Sequence, residues 1–205
     1  MNIFASCDSV YFLEHSDAFI NSALQVGYNP KILVINPTRE IKNLNNPYVY
    51  YNYSRLQSKS FYASNRFFAA SNFLTEEGLL ITDIDCFFLR KMPAVKESIG
   101  LFLRPYERHE RMKVAAGIVW LSGDTASRQF IQGVAENIYN REDAWYVDQL
   151  ALYDEYKKLN TPVFRFQKYH MDWTFQEDSF MWTGKGNRKY KDVIYLERKK
   201  VYEKL

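Results

Sequence analysis

The sequence predicts an α/β protein, a single domain in which a mixed and mostly parallel sheet is flanked by helices. Three observations lead to this fold class. Strand-like and helix-like patterns alternate along the chain. The first strand, helix and second strand fit within residues 2–36, which is short enough for one βαβ unit, and such units join parallel strands. The length of 205 residues corresponds to one domain, 1–205.

The first unit begins with an apolar strand at 2–8 that runs into a polar turn. A helix is predicted at about 14–26, because apolar residues recur there on one helical face. Gly27 and Pro30 are typical of residues that end a helix. The apolar run at 31–36 then predicts a buried second strand.

The middle of the chain alternates less regularly. The Asn- and Tyr-rich passage 43–58 shows no clear element. Helical spacing returns at 61–74, and a turn followed by a continuous apolar strand is predicted at 76–89, interrupted by two aspartates. Another apolar strand is predicted at 115–121.

The last third of the chain is predicted to be mainly helical. Helices are expected at about 124–139 and from Val147 to about Lys158. Short strands are expected at 163–166 and 193–196, where apolar runs of strand length occur.

The composition excludes several classes of protein. Apolar residues make up 47% of the chain and charged residues 25%, which excludes wholesale disorder. No run approaches the ~18 consecutive apolar residues of a membrane span, and the first residues lack the basic start of a signal peptide. Two cysteines provide neither a disulfide framework nor a four-ligand zinc site. We therefore expect a cytoplasmic protein without a membrane span.

The net charge of +3 is unevenly distributed. The basic C-terminal segment, 185–205, holds eight Lys/Arg and three Asp/Glu, a balance of +5, whereas the rest of the chain has a balance of −2. The segment either steers an anionic ligand, a nucleic acid or an acidic membrane, or is a solvated terminal strand and helix. Nucleic acid as the main ligand is disfavoured, because the basic residues form no stripe along the rest of the chain.

The most informative motif is Asp83-Ile84-Asp85, which follows the buried run 79–81. Ligands of open α/β sheets bind at the carboxyl ends of strands, and residues i and i+2 of a strand share a face. Two neighbouring carboxylates repel unless a cation lies between them, and hard oxygen ligands suit Mg²⁺ or Mn²⁺. With 11 aspartates, chance alone gives roughly 0.6 such motifs per chain. The alternative is a pair of aspartates that caps a neighbouring helix.

A second motif is the loop Gly184–Lys189, which contains two glycines and three basic residues. Its backbone amides and basic side chains suit a diphosphate leaving group. The alternative is a glycine hairpin with solvated lysines.

Together these motifs resemble the GT-A glycosyltransferases. A strand ends in Asp-x-Asp, a helix carrying Arg66 precedes it, and the Ala-Gly strand 116–119 follows. More narrowly, the chain is similar to the family-8 type, which uses nucleotide-diphosphate sugars. Thr183 stands where that family has a metal-binding histidine, and Ala115 where it has an asparagine.

The resemblance implies roles for individual residues. The metal, Mn²⁺ or Mg²⁺, would be held by Asp83 and Asp85, with water, Asp172 or His170 as candidates for the third ligand. Asp148 and Gln149 match a catalytic pair beside the transferred sugar. Six residues would bind the nucleotide: Asp8, Tyr11, Arg66, Asp83, Gly186 and Lys189.

The sequence therefore predicts a metal-dependent glycosyltransferase that moves a sugar from a UDP-sugar to a saccharide or other hydroxyl acceptor. Two alternatives from other classes stay open. A sugar nucleotidyltransferase also uses Asp-x-Asp, but usually has a Gly-rich basic loop after its first strand, which is missing here. A non-catalytic nucleotide- or sugar-binding module of the same fold is favoured by the missing histidine and the short chain.

The histidines and two of the tryptophans have weaker signals. His15 and His109 are expected at the surface, and His170 in a core or at its rim among aromatic residues. Trp173 and Trp182 are either core residues or a platform on which an acceptor sugar stacks.

Overall fold

The computed structural model describes all 205 residues, and strands and helices alternate over most of the chain. There are nine strands: β1 (Asn2–Cys7), β2 (Asn29–Ile35), β3 (Val49–Asn52), β4 (Leu79–Thr82), β5 (Cys86–Phe88), β6 (Ile99–Leu103), β7 (Val114–Leu121), β8 (Phe164–Arg165) and β9 (Met181–Thr183). There are seven α-helices: α1 (Ser9–Gln25), α2 (Arg39–Asn43), α3 (Lys59–Phe73), α4 (Thr125–Tyr139), α5 (Val147–Lys158), α6 (Arg188–Lys191) and α7 (Val193–Glu203).

Seven strands form one sheet in the order β3-β2-β1-β4-β7-β6-β8. Strands β1 to β4 pair in parallel, whereas β7 runs antiparallel to both of its neighbours, β4 and β6. Strand β8 pairs in parallel with β6. The predicted mixed, mostly parallel sheet is confirmed. Helix α1 joins the parallel neighbours β1 and β2, as a βαβ unit requires.

Helices cover both faces of this sheet, and successive strand residues pack against opposite layers. In β1, Ile3 belongs to a core that contains Phe12 and Phe19 of α1. The next residue, Phe4, belongs to the opposite core, which contains Phe67 of α3 together with residues of α4 and α5. Burial on both faces explains why the central strands are almost continuously apolar in sequence.

Helix α1 begins at Ser9, five residues before the predicted start at 14. Asp8 caps this helix, because its Oδ1 accepts a hydrogen bond from the amide of Tyr11 at 2.8 Å. Aspartate is among the preferred N-cap residues. Because Asp8 caps the helix, the predicted start at residue 14 was wrong. The first turn of α1 therefore follows β1 directly and places Tyr11 close to the edge of the sheet.

The apolar strand predicted at 76–89 is two strands in different sheets, so this prediction was wrong. Strand β4 ends at Thr82, and β5 begins at Cys86 in a separate antiparallel sheet with β9. The three residues between them leave the main sheet. An apolar run shows that a segment is buried, but not which sheet it joins. The passage 43–58, where no element is predicted, contains β3.

The strand predicted at 193–196 is the first turn of helix α7, and this prediction was also wrong. Asp192 caps the helix by accepting hydrogen bonds from the amides of Ile194 and Tyr195 at 3.1 and 3.3 Å. The helix is held on α1 by a 2.8 Å hydrogen bond from Asn21 Nδ2 to the carbonyl of Tyr202. The basic C-terminal segment is thus a packed part of the fold. No helix has both the length and the apolarity needed to cross a membrane.

Candidate active site

The candidate site lies at the carboxyl edge of the parallel strands. Strand β1 ends at Cys7 and β4 ends at Thr82, and the two strands are parallel neighbours. Asp8 therefore follows one strand, and Asp83 and Asp85 follow the next, at the same edge of the sheet. This is the edge at which open α/β sheets bind ligands.

Arg66 of α3 joins two carboxylates from distant parts of the chain. It donates hydrogen bonds to Asp83 Oδ1 at 2.6 Å, to Asp148 Oδ2 at 3.4 Å and to the carbonyl of Ala116 at 3.2 Å. Its residue exposure is only 3%, so its charge is held away from water. Helix α3, which the helical spacing predicted, thus places this guanidinium in contact with Asp83, the first aspartate of the pair.

Lys189 is the counter-ion of the second aspartate. Its Nζ donates to Asp85 Oδ2 at 2.7 Å and to the Tyr11 hydroxyl at 2.9 Å. It also lies 4.5 Å from the centroid of the Tyr11 ring. Burial raises the pKa of Asp85 to about 6, and the negative charge of Asp83 adds to the rise, while Lys189 opposes it. Each aspartate of the pair therefore has a cationic side chain of its own.

The loop that precedes Lys189 is hydrogen-bonded to the backbone of Asp85. The carbonyl of Asp85 accepts hydrogen bonds from the amide of Gly184 at 2.9 Å and from the Tyr195 hydroxyl at 2.8 Å. A Cβ at Gly184 would lie 2.5 Å from the Cβ of Lys189, so only glycine allows this approach. Gly186 has a positive φ of 62° and open space around it, which fits the turn into α6.

Gly117 of β7 gives Asp83 its position. A Cβ at this residue would lie 2.7 Å from Asp83 Oδ2 and 2.9 Å from the sulfur of Met171. The Ala-Gly strand identified in the sequence is therefore the wall against which the first aspartate packs.

Asp148 and Gln149 lie in the first turn of α5. Asp148 is largely buried, and burial raises the pKa of its carboxyl, while the positive charge of Arg66 lowers it. Gln149 Oε1 accepts a 2.9 Å hydrogen bond from Arg104, which follows the end of β6. Arg104 could not be recognised from the sequence pattern, because β6 itself was not predicted.

Six of the predicted site residues thus form two hydrogen-bonded groups. Arg66 links Asp83 to Asp148, and Lys189 links Asp85 to Tyr11. Asp8, the cap of α1, adjoins the second group, because its Oδ1 accepts a hydrogen bond from the amide of Tyr11 at 2.8 Å.

The two candidates for a third metal ligand have other roles. The Asp172 carboxylate accepts four hydrogen bonds from residues 174–179, which lower its pKa. His170 is packed among aromatic rings, and its Nδ1 accepts from the amide of Gln167 at 2.9 Å. No cluster of three or more His, Cys, Asp or Glu residues suited to a metal occurs in the structure.

His15 contradicts its predicted surface position. It is 2% exposed, and neither ring nitrogen has a hydrogen-bond partner, although Glu14 Oε1 lies 3.5 Å from Nε2. Burial lowers the pKa of His15 to about 3, and the positive charges of Lys199 and Lys189 add to this effect. His109 is exposed, as predicted.

The contribution of His15 to the stability of the native protein should therefore become unfavourable in mild acid. Below pH 6.5 the unfolded chain binds a proton at His15, whereas the native state does not until about pH 3. Between pH 7 and pH 5 this lowers the free energy of unfolding by about 2 kcal/mol. Urea unfolding at both pH values should show that the wild type loses about 2 kcal/mol more stability than His15→Leu. The comparison cancels the opposing contribution of Asp85, whose raised pKa stabilises the native state as the pH falls. His109→Gln is the control and should lose as much as the wild type; an equal loss in His15→Leu would contradict the assignment.

Known proteins resemble the chain in structure but not detectably in sequence. No family model and no curated protein matches it. The galactosyltransferase LgtC, in complex with donor and acceptor sugar analogs, has a TM-score of 0.63 at 10% identity, over 100% of this chain and 95% of LgtC. The apo-form glycosyltransferase GlyE of Streptococcus pneumoniae TIGR4 has a TM-score of 0.63 at 11% identity. The chain has the GT-A glycosyltransferase fold.

This GT-A chain covers the compared structures to different extents. It spans 98% of a glycosyltransferase involved in glycosylation of the major capsid of PBCV-1, with 98% of its own length matched, a TM-score of 0.57 and 12% identity. It spans only 62% of the GlyE chain, with 99% of its own length matched. At these identities the likeness concerns the fold, and membership of family 8 stays a prediction.

Proposed function

We propose that the protein is a metal-dependent glycosyltransferase that moves a sugar from a nucleotide-diphosphate sugar, a UDP-sugar, to a hydroxyl acceptor. One observation carries this proposal. Asp83 and Asp85 lie at the carboxyl edge of β4, each with a cationic partner, in a fold shared with glycosyltransferases. That edge is where an anionic diphosphate and a cation would meet the protein.

The donor atoms of the two aspartates fit a hard divalent cation. One oxygen of each carboxylate is engaged by Arg66 or Lys189. The other oxygens, Asp83 Oδ2 and Asp85 Oδ1, accept no hydrogen bond from the protein. Mg²⁺ and Mn²⁺ suit such a site, because Mg²⁺ usually keeps several waters and binds one or two carboxylates together with substrate phosphates. When bound, the metal would neutralise charge on the departing diphosphate.

The protein's own residues have complementary tasks. Lys189 is positively charged and is bonded to Asp85, and we assign it to the diphosphate, which would replace Asp85 as its partner. Arg66 is buried behind the aspartates, so we assign it to holding Asp83 and Asp148 in position beneath the donor. Gln149 lies one residue beyond Asp148 and is the group we place beside the transferred sugar and the acceptor.

The nucleotide is assigned to the first turn of α1 and, within the glycine loop, to Gly186 and Lys189. Asp8 and Tyr11 lie directly after β1, and Asp8 is the proposed contact of the uracil base. Because Gly186 has no side chain and open space around it, we assign its backbone to a close contact with the phosphates. A cytoplasmic location stays a prediction.

The two alternatives are less well supported. A nucleotidyltransferase usually has a Gly-rich basic loop after its first strand, but here Asp8 caps α1 directly after β1. A binding module without activity would bind UDP tightly but neither hydrolyse nor transfer a sugar from any donor. Pyrophosphate release from a nucleoside triphosphate and a sugar phosphate would instead support the nucleotidyltransferase.

Calorimetric titration of UDP with and without Mn²⁺ tests the donor site. We expect binding with a Kd on the order of micromolar that requires Mn²⁺ and is lost in Asp83→Ala. The matched control is Asp178→Asn, an exposed aspartate without a side-chain hydrogen bond, which should bind as the wild type does. Absence of UDP binding in both conditions would contradict a UDP-sugar donor. A panel of GDP, CMP and nucleoside triphosphates would then show whether another nucleotide is used.

A further inference from the structure

A second charged cluster lies beside Gln149 and is not used by the donor site. It consists of Arg104, Trp173, Lys185 and Arg188, and we call it the Arg104 cluster. Lys185 Nζ lies 4.5 Å from the Trp173 ring centroid, and Arg188 donates to the Trp173 carbonyl at 2.5 Å. The Trp173 ring packs 5.9 Å from the ring of Phe102, two residues before Arg104 on the same chain segment.

The three cations of the Arg104 cluster form no salt bridge in the protein. None of them has a carboxylate within 4.0 Å, in contrast to Arg66 and Lys189. Partial burial lowers the pKa of Lys185, and the positive charges of Arg104 and Arg188 lower it further, while Glu107 raises it. Mutual repulsion of like charges destabilises the folded protein, and a bound anion would relieve it.

Arg104 is the residue that connects this cluster to the proposed chemistry. Its guanidinium donates to Gln149 Oε1 at 2.9 Å and to the carbonyl of Val114 at 3.4 Å. Its Nε is buried and has no hydrogen-bond partner. Burial lowers the pKa of Arg104, while the negative charge of Glu107 raises it.

Building on the proposed function, we propose that the Arg104 cluster binds an anionic group on the acceptor, a phosphate or a carboxylate carried by a hydroxyl-bearing sugar. The donor diphosphate is assigned to Lys189 on the Asp85 side of the site. The Arg104 cluster lies on the Gln149 side, where the acceptor hydroxyl must approach the transferred sugar. A guanidinium presents a planar set of donors that matches phosphate and carboxylate oxygens.

The test is saturation-transfer-difference NMR with three matched probes: glucose, glucuronic acid and glucose 6-phosphate. Each probe is titrated into the protein in a solution that contains Mg²⁺. The titrations are done with and without UDP, and at low and high salt. We expect the acidic probes to bind about tenfold more tightly than glucose at low salt, and high salt to reduce this preference. Comparison of the two acidic probes distinguishes a phosphate from a carboxylate.

Variants assign the preference to the cluster. Arg104→Gln should abolish it while UDP affinity stays within about twofold of the wild type. Lys185→Gln should weaken it, and because Lys185 is exposed this variant tests the cluster without disturbing buried structure. The matched control is Lys96→Gln, an exposed lysine before the opposite end of β6, which should keep the preference.

Two outcomes would overturn the proposal. Equal affinities for glucose and both acidic probes would exclude an anion subsite, even if UDP binds as expected. A parallel loss of UDP affinity in Arg104→Gln would assign the cluster to the donor diphosphate. An acidic preference that depends on Arg104 in a protein that does not bind UDP would support the anion subsite and overturn the proposed donor.

Discussion

Asp85→Asn should lower the turnover of the UDP-sugar by about 10³-fold, the loss expected when several kcal/mol of charge stabilisation are removed. The substitution keeps the shape of the side chain but removes the charge that would hold the metal. It also removes the ionic partner of Lys189, which is largely buried. Release of UDP in the presence of Mn²⁺, measured with a panel of UDP-sugars, gives the readout.

The same variant should also lose some stability. From the sequence alone, removal of Asp85 eliminates a costly charge and should leave the fold unaffected. In the structure the carboxylate is paired at 2.7 Å, so the substitution leaves the buried Lys189 ammonium with uncharged partners only. The double variant Asp85→Asn/Lys189→Met removes both charges and should regain stability without regaining activity.

The control for this experiment is Asp178→Asn, which should retain wild-type turnover. If Asp85→Asn also turns over at the wild-type rate, the metal-pair assignment is wrong. An inactive Asp85→Asn whose thermal unfolding matches the wild type would support the metal role and show that the ion pair contributes little to stability.

Arg66→Ala should lower the free energy of unfolding by about 3 kcal/mol, the lower end of the range for breaking a buried ion pair. The Asp83 side chain is 38% exposed, so water screens the attraction between Arg66 and Asp83. Asp148 is only 12% exposed and would be left with its charge unpaired. Urea denaturation at pH 7 measures the loss.

Donor affinity should fall in the same variant, because Asp83 and Asp148 lose the group that positions them. Arg66→Lys restores the charge but not the fork that spans two carboxylates, so it should recover only part of the stability. Arg108→Ala, at an exposed arginine without a side-chain hydrogen bond, is the control. A loss below about 0.5 kcal/mol in Arg66→Ala, the range of ordinary surface substitutions, would contradict a buried ionic network.

The pairing of carboxylates with cations explains how this site tolerates so many charges. Asp83, Asp85 and Asp148 converge at one edge of the sheet, and each is close to Arg66 or Lys189. The cations of the Arg104 cluster have no such partner. This asymmetry makes a ligand anion, rather than a protein group, the expected occupant of that cluster.

Local pattern was sufficient for a large part of the fold. The first βαβ unit, helix α4, helix α5 and strand β7 follow from apolar periodicity, which depends only on nearby residues. The position of Asp83 and Asp85 at a ligand-binding edge follows from their place after an apolar strand, because parallel strands end at a common edge. Local pattern failed where a cap or a change of sheet decided the element, as at Ser9 and at 193–196.

By itself, the sequence determined the α/β class, the parallel βαβ start and the aspartate motif at the end of β4. Only the tertiary structure decided which cation meets which carboxylate: Arg66 meets Asp83 and Asp148, and Lys189 meets Asp85 from 104 positions away. It also decided the burial of His15 and the contact between Arg104 and Gln149. The physical reason is that strands and helices follow from neighbouring residues, whereas these contacts depend on how elements distant in sequence pack together.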